Sequence, residues 1–184
     1  MAEAARGIAP GGRIRAREVW SLMIPSEPAD GVPHLANRQR EARPEDAQCI
    51  AEYNRSMARE TENKELDAGT VLKGVQAGLA QPNLCRYFVA EVDGRVIGQA
   101  MITYEWSDWR NGELWWIQSV YVHPDHRRRG IFRELFQHIR LIAQNYPKVR
   151  GLRLYVEADN QIGKNVYRRL GMVHAGYHVY ELEF

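Results

Sequence analysis

Between Tyr87 and Val122 the chain alternates long β-forming runs with tight-turn signals, and nothing else in the sequence restricts the fold as much. Tyr87-Phe88-Val89-Ala90-Glu91-Val92 is followed by Asp93-Gly94 and then by Val96-Ile97-Gly98-Gln99-Ala100-Met101-Ile102-Thr103-Tyr104. Asp-Gly readily takes the positive φ angles of a two-residue hairpin turn, so the two runs are expected to pair antiparallel. Arg110-Asn111-Gly112 then leads into Leu114 to Val122, a run dominated by aromatic and β-branched residues. His123-Pro124-Asp125 stops it, because proline has no N–H to give to a ladder. Three consecutive strands of a meander are expected from these signals.

Helical periodicity surrounds the meander. Ala42-Arg43-Pro44-Glu45-Asp46 puts proline at a first helical position with acids in the first turn, ahead of Ala47, Ile50, Ala51 and Met57. That predicts a helix behind a short strand. Thr70 is read as the N-cap of a second helix through Val71, Leu72, Val75 and Leu79, ended by Pro82-Asn83. After Gly130, Phe132, Leu135, Phe136, Ile139, Ile142 and Ala143 recur at steps of three and four until Pro147. Leu152 to Val156 reads as a strand, Ile162, Val166 and Leu170 as one face of a short helix stopped by Gly171, and the region Val173 to Glu183 as a final strand pair. The predicted order is β-α-α-β-β-β-α-β-α-β-β. Residues 1–35, broken by Pro10-Gly11-Gly12, Pro25 to Pro28 and Gly31 to Pro33, read as a tail or loosely docked arm, with Val19 to Ile24 as its one apolar piece. Residues 36–184 read as one domain.

Composition narrows the function. With 45% of its 184 residues apolar, the chain can bury one sizeable core. Lys and Arg total 25 against 23 Asp and Glu, a net charge of +2, so no global field draws the protein to nucleic acid or an anionic membrane. Cys49 and Cys85 have neither metal-ligand spacing nor the density of a secreted disulfide scaffold, which fits a reducing cytoplasm and a site without metal. No apolar run approaches the roughly 20 residues of a membrane span.

An anion site, if present, must be local, and one segment has its parts. Val120-Tyr121-Val122-His123-Pro124-Asp125-His126-Arg127-Arg128-Arg129-Gly130-Ile131-Phe132-Arg133 joins a strand, a basic loop containing glycine, and a helix start. Unpaired N–H groups at a helix N-terminus can converge on an anion, and the helix dipole adds favourable potential. Gly130 removes a side chain from the approach, and the flanking arginines can add charge-assisted bonds to phosphate oxygens. Taken alone, the arginine run reads more readily as a solvated charge run ahead of a helix.

This segment resembles the acetyl-CoA motif of the GCN5-related N-acetyltransferase (GNAT) superfamily, Arg/Gln-x-x-Gly-x-Gly/Ala, with Arg127 and Gly130 on its first two fixed positions and Phe132 departing from the third. Such a phenylalanine either turns to the core or reshapes the cradle. Asp159-Asn160-Gln161 through Tyr167 to Leu170-Gly171-Met172 resembles the second signature of the same superfamily, in the family's order. The resemblance, over roughly Arg40 to Phe184, implies an α/β (α+β) fold: a mixed, largely antiparallel sheet with a splay between two parallel strands, flanked by about four helices. It also implies that acetyl-CoA is the donor and an amine the acceptor, and homodimers are common in that family. The main chain at Val120, Tyr121 and Val122 would then pair with the pantetheine arm, with the diphosphate at Arg127 to Arg133. Asn160 falls where the family commonly bonds pantetheine, although asparagine before a helix is also an ordinary N-cap.

Acetyl transfer to an amine needs an unprotonated nitrogen, a stabilised oxyanion and a proton for the departing thiolate. Tyr167 occupies the family's usual general-acid position, and a phenol of ordinary pKa about 10 is protonated at neutral pH while a thiol sits near about 8.5. Its other reading is a helix tyrosine packed on the sheet. Family members with a carboxylate base often place it where this chain has Gln118 and Ser119, neither of which is a base. Glu113 and Glu105 are the candidate replacements, each equally readable as a sheet-edge charge. The aromatic and charged cluster Tyr104 to Arg110, with Trp115 and Trp116, is a candidate acceptor pocket offering an amine cation–π surface and carboxylate partners, or else a twisted hairpin burying its indoles. The competing function is a non-catalytic acyl-CoA-binding or regulatory module of the same fold.

Overall fold

The computed structural model describes residues 37–182. Strand β1 is Arg38–Glu41, β2 Cys85–Val92, β3 Arg95–Ser107, β4 Gly112–Val122 and β5 Val149–Leu154. Helix α1 is Ala47–Glu62, α2 Ala68–Ala80, α3 Ile131–Asn145 and α4 Gln161–Arg169. The five strands form one sheet in sequence order, antiparallel throughout except that β4 and β5 run parallel. A parallel pair needs a crossover connection, and α3 is that crossover.

The meander forms where the turn residues place it. Val92 pairs with Arg95 across Asp93 (φ 49°) and Gly94 (φ 76°), and Asn111 (φ 44°) turns the chain from β3 into β4. Helix α3 lays Leu135, Phe136 and Ile139 against Phe88, Ile102, Trp115 and Ile117, all of them buried. On the opposite sheet face Ile50 and Ala51 of α1 and Val75 of α2 cover Cys85, Tyr87 and Val89. Each fully buried aliphatic or aromatic side chain contributes about 1.5–3 kcal/mol, so the two layers hold the sheet from both sides.

Three local expectations are corrected. Helix α2 is capped by Asp67, whose Oδ1 accepts from the Thr70 N–H and from the Thr70 hydroxyl, both at 2.7 Å. A carboxylate one turn earlier fills the capping role assigned to Thr70, which lies inside the helix. The strand expected at Leu152 to Val156 is Val149–Leu154, because the ladder with β4 ends at Ile117 opposite Leu154. Residues 172–182 adopt neither helix nor strand, so no strand pair is found over the described part of Val173 to Glu183. Past Met172, whose N–H bonds to the Tyr167 carbonyl, they have no ladder partner, and alternation without a partner does not make a strand. The expected tail of residues 1–35 lies outside the described residues. No helix among the described residues is long and apolar enough to cross a membrane.

Candidate active site

Strands β4 and β5 pair only from Glu113 to Ile117, so the C-terminal half of β4 has no neighbour on its β5 side. The direction of its free groups is set by the ladder. His123 N–H donates to the Ile97 carbonyl of β3. Alternation along an antiparallel strand therefore turns the main-chain groups of Val122 and Val120 the other way, into the gap. The Val122 carbonyl is taken there by Arg127 Nε at 2.8 Å, while the Val122 N–H stays open. Just upstream the register slips between Gln99 and Met101, and Ser119 takes φ 48°, a conformation uncommon for serine. The buried Gln99 amide braces this bulge, donating to Asn54 Oδ1 at 2.7 Å and to the Ser119 carbonyl at 3.3 Å.

Beyond β4 a 3₁₀ turn over Pro124–His126 leads into the arginine run and α3. Arg128 (φ 63°) and Gly130 (φ 80°) both take left-handed backbone, and Gly130 is the N-cap of α3 with no side chain to give it. Within the described residues no acceptor meets the N–H groups of Arg128, Arg129, Gly130, Ile131, Phe132 and Arg133. This row of main-chain donors at a helix N-terminus lies at the end of β4, beside the gap. A Cβ on Gly130 would meet the Arg133 guanidinium at 3.2 Å. Arg128, Arg129 and Arg133 are exposed.

Arg127 behaves differently from its neighbours. Only 8% of its side chain is exposed, and it is spent internally: Nε on the Val122 carbonyl, Nη2 on Glu60 Oε2 at 2.7 Å, and the guanidinium over the Tyr121 ring at 5.3 Å. Glu60 Oε1 also accepts from the Tyr121 hydroxyl at 2.8 Å. Burial first, then the Glu60 carboxylate, push the Tyr121 phenol up to about 12. Glu60, at the C-terminal end of α1, thus ties β4 and the basic loop together. Nothing in the local sequence around Glu60 signals this; the partners meet only through the fold.

Phe132 turns inward. It is buried, packs edge-on against Tyr167 at 6.1 Å between ring centroids, and leaves the cradle to main-chain groups. Tyr167 is 6% exposed, its hydroxyl bonds to no described group, and burial raises its pKa, so it stays protonated through the neutral range. Asn160, 1% exposed, caps α4 with Oδ1 accepting from Gly163 N–H at 2.7 Å. Its Nδ2 is buried and makes no hydrogen bond. Gly163 is required beneath it, since a Cβ there would lie 2.8 Å from that nitrogen.

The candidate bases are not gathered at this site. Glu113 lies near the start of β4, accepts from Trp115 Nε1 at 3.3 Å on the α3 face, and by strand rise stands about 30 Å from Val122. Glu105 is ion-paired with Arg153 at 2.8 Å and also accepts from Trp116 Nε1, so both its oxygens are occupied. Gln118 donates to Thr103 Oγ1 at 2.7 Å. The tryptophans do not form one pocket either: Trp115 is buried against Tyr104 and Tyr146, Trp116 stacks on Tyr155 with centroids 4.4 Å apart, and Trp106 and Trp109 are exposed. Among the described residues no cluster of His, Cys, Asp and Glu is arranged to hold a metal ion.

Comparison with known proteins agrees with this geometry. The model of the Acetyltransferase (GNAT) family matches residues 33–172. A possible acetyltransferase from Clostridium difficile 630 shares 46% identity, with a TM-score of 0.76 over 80% of this chain and 97% of that one. Two more distant structures show the fold alone. A ribosomal-protein-alanine N-acetyltransferase from Brucella melitensis biovar Abortus 2308 is 19% identical, with a TM-score of 0.66 over 81% of this chain and 99% of that one. A predicted acetyltransferase with acetyl-CoA from Clostridium acetobutylicum is also 19% identical, with a TM-score of 0.65 over 80% of this chain and 96% of that one. Among curated proteins none matches. A family match over residues 33–172, most of the chain, places this protein in the GNAT acetyltransferase family.

Proposed function

We propose that this chain transfers the acetyl group of acetyl-CoA to a primary amine by direct attack within a ternary complex, and that the acceptor is a small molecule. The observation that carries the reading is the row of unpartnered N–H groups from Arg128 to Arg133 at the end of the half-paired strand β4. The residues present fit coenzyme A: six main-chain donors and three exposed arginines for its phosphates, glycine at the closest approach, and a buried unpaired amide on Asn160. When bound, acetyl-CoA supplies the activated thioester.

In this reading the main-chain groups of Val120 and Val122 bond the pantetheine arm as another strand would, and an open N–H of that segment receives the oxyanion. Tyr121 and Arg127 hold that strand and loop in place. Tyr167, kept neutral by burial, gives its proton to the departing thiolate. With Glu105 occupied, Glu113 remote and Gln118 bonded to Thr103, the amine's proton leaves through water. At an ordinary amine pKa of about 10, about a thousandth of the acceptor is unprotonated at pH 7, enough for turnover without a dedicated base.

The test is thiol release and product mass over a panel of small amines, with Tyr167→Phe in parallel. The variant keeps the ring against Phe132, so acetyl-CoA affinity should hold while kcat falls by about 10²–10⁴. Release of thiol by neither protein, with acetyl-CoA binding intact, supports the second reading, a binding module, which the amide at Gln118 in place of a carboxylate favours.

A further inference from the structure

Helices α1 and α2 leave part of their sheet face uncovered. The core they form takes residues from β2 and β3 but none from β4 or β5. Trp115 and Ile117 are buried on the α3 face, so alternation turns Trp116 and Gln118 to the uncovered side. There they meet Thr103 and Glu105 of β3, Arg153 of β5, and Tyr155 just beyond it, and none of the six is buried. Gln118 donates to Thr103, Trp116 and Arg153 donate to Glu105, the Arg153 guanidinium lies 5.6 Å from the centre of the Trp116 ring, and Trp116 stacks on Tyr155. Because α3 and α4 close the other face, a reactant that meets the thioester in the gap arrives over this patch.

Arg153 holds a half-used guanidinium over it. Of the arginines on the described strands, Arg40, Arg86 and Arg153 are half-buried. Arg40 and Arg86 bring all three guanidinium nitrogens to acceptors, and Arg86 sets its Nε and Nη2 edge as a fork on the two oxygens of Glu41, each at 2.8 Å. Arg153 uses Nη1 alone, on Glu105 at 2.8 and 3.0 Å, while its Nε and Nη2 meet no described acceptor. The edge left over is the one that takes a carboxylate in two parallel hydrogen bonds. An arginine of this sheet that already holds one carboxylate can take a second, as Arg40 does in bridging Asp46 and Glu91. A cationic group finds no such opening in the patch, because both oxygens of Glu105 are occupied.

The ladder fixes how far this edge lies from the reaction. Arg153 pairs with Trp116, one rung before the β4–β5 pairing ends at Ile117. Val120, whose main chain faces the gap, lies beyond that point by about 10–13 Å of strand rise. We propose that the acceptor is an amine whose far end carries a carboxylate about 10–13 Å away, gripped by the free edge of Arg153, with the intervening chain laid along Trp116 and Tyr155. An α-amino acid, with both groups on one carbon, cannot span that distance, and a polyamine has no anion to offer. This inference rests on acetyl transfer at the gap, and it makes Arg153 the residue that selects the acceptor.

Thiol release by the full chain with acetyl-CoA, measured for ω-amino acids of increasing length and for the amide of each, tests it, together with calorimetry of the same compounds with coenzyme A bound. The carboxylate should be preferred over its amide by at least about tenfold in kcat/KM, through KM, and the preference should peak where amine and carboxylate stand about 10–13 Å apart. Calorimetry should show the same order. Arg153→Gln should bring the ratio of carboxylate to amide down to about one, and Glu105→Gln, which removes the competing carboxylate, should raise it. Each ratio is taken within one protein, so a general loss of stability cancels. Thiol release without a preference for the carboxylate, a preference that ignores length, or one that survives Arg153→Gln would overturn the proposal and leave acetyl transfer standing. Binding that prefers the carboxylate, with no thiol released from any amine, would overturn acetyl transfer and leave the Arg153 site standing. Neither turnover nor binding would overturn both.

Discussion

Glu60 collects two donors that approach from different elements, the Tyr121 hydroxyl from β4 and the Arg127 guanidinium from the basic loop. Glu60→Gln keeps one acceptor oxygen but removes the charge facing a mostly buried arginine. A stability loss of about 1–3 kcal/mol is expected, with the larger effect on KM for acetyl-CoA and a smaller one on kcat, because the residue positions the cradle and does not enter the chemistry. Steady-state kinetics and a thermal melt check both, and a fall in kcat at unchanged KM would contradict this role. Asn160 permits a cleaner separation. Asn160→Ser retains a capping oxygen for Gly163 but has no amide to replace the buried, unpaired Nδ2. Stability should change by less than about 1 kcal/mol while acetyl-CoA affinity falls about tenfold, equivalent to about 1.4 kcal/mol. Equal affinity would leave Asn160 as a cap only. Arg127 and Asn160 were both visible in the sequence, yet their partners were not: the arginine flanks the phosphate cradle by sequence and serves the loop's internal bonding by structure.

Helix α3 does two jobs with different residues of its first turn. Phe132 goes to the core against Tyr167, and the main chain from Arg128 to Arg133 stays open. Gly130 makes the turn between them at φ 80°. Gly130→Ala is expected to cost about 1–2 kcal/mol for left-handed backbone in a residue with a Cβ, and to push the Arg133 guanidinium from its place. Titration with acetyl-CoA should show weaker binding than that strain alone explains. The periodicity that located α3, the meander and α4 was legible because each element buries a continuous face, which fixes residue spacing. Helix α2 was legible as well, but Asp67 and Thr70 are both capping residues and spacing does not choose between them. The bulge at Ser119 left no sign, since serine is not a residue that announces positive φ. The alternation after Val173 was legible as a pattern, but no described residue gives it a ladder partner.

At the scale of the whole molecule, the core buries tyrosines whose neutral form the fold prefers. Burial pushes Tyr87, Tyr104 and Tyr121 up to about 12 and raises Tyr53 and Tyr167 as well. A group raised above its unfolded value keeps its full contribution below that value and loses it as pH climbs towards the folded one. The urea midpoint should therefore hold to about pH 9 and drop between about pH 10 and 12, and a flat profile over that range would contradict the burial of these rings. The same two-layer packing that buries them fixes β4 against β3, leaves its other edge open beyond Ile117, and sets the α3 N-terminus at its end. Isothermal titration of acetyl-CoA against acetylpantetheine, which lacks the diphosphate and nucleotide, tests whether that arrangement grips an anion. Acetyl-CoA should bind at least about tenfold more tightly, with the difference shrinking as salt rises. Equal affinity of the two thioesters, or no heat from either, would contradict it.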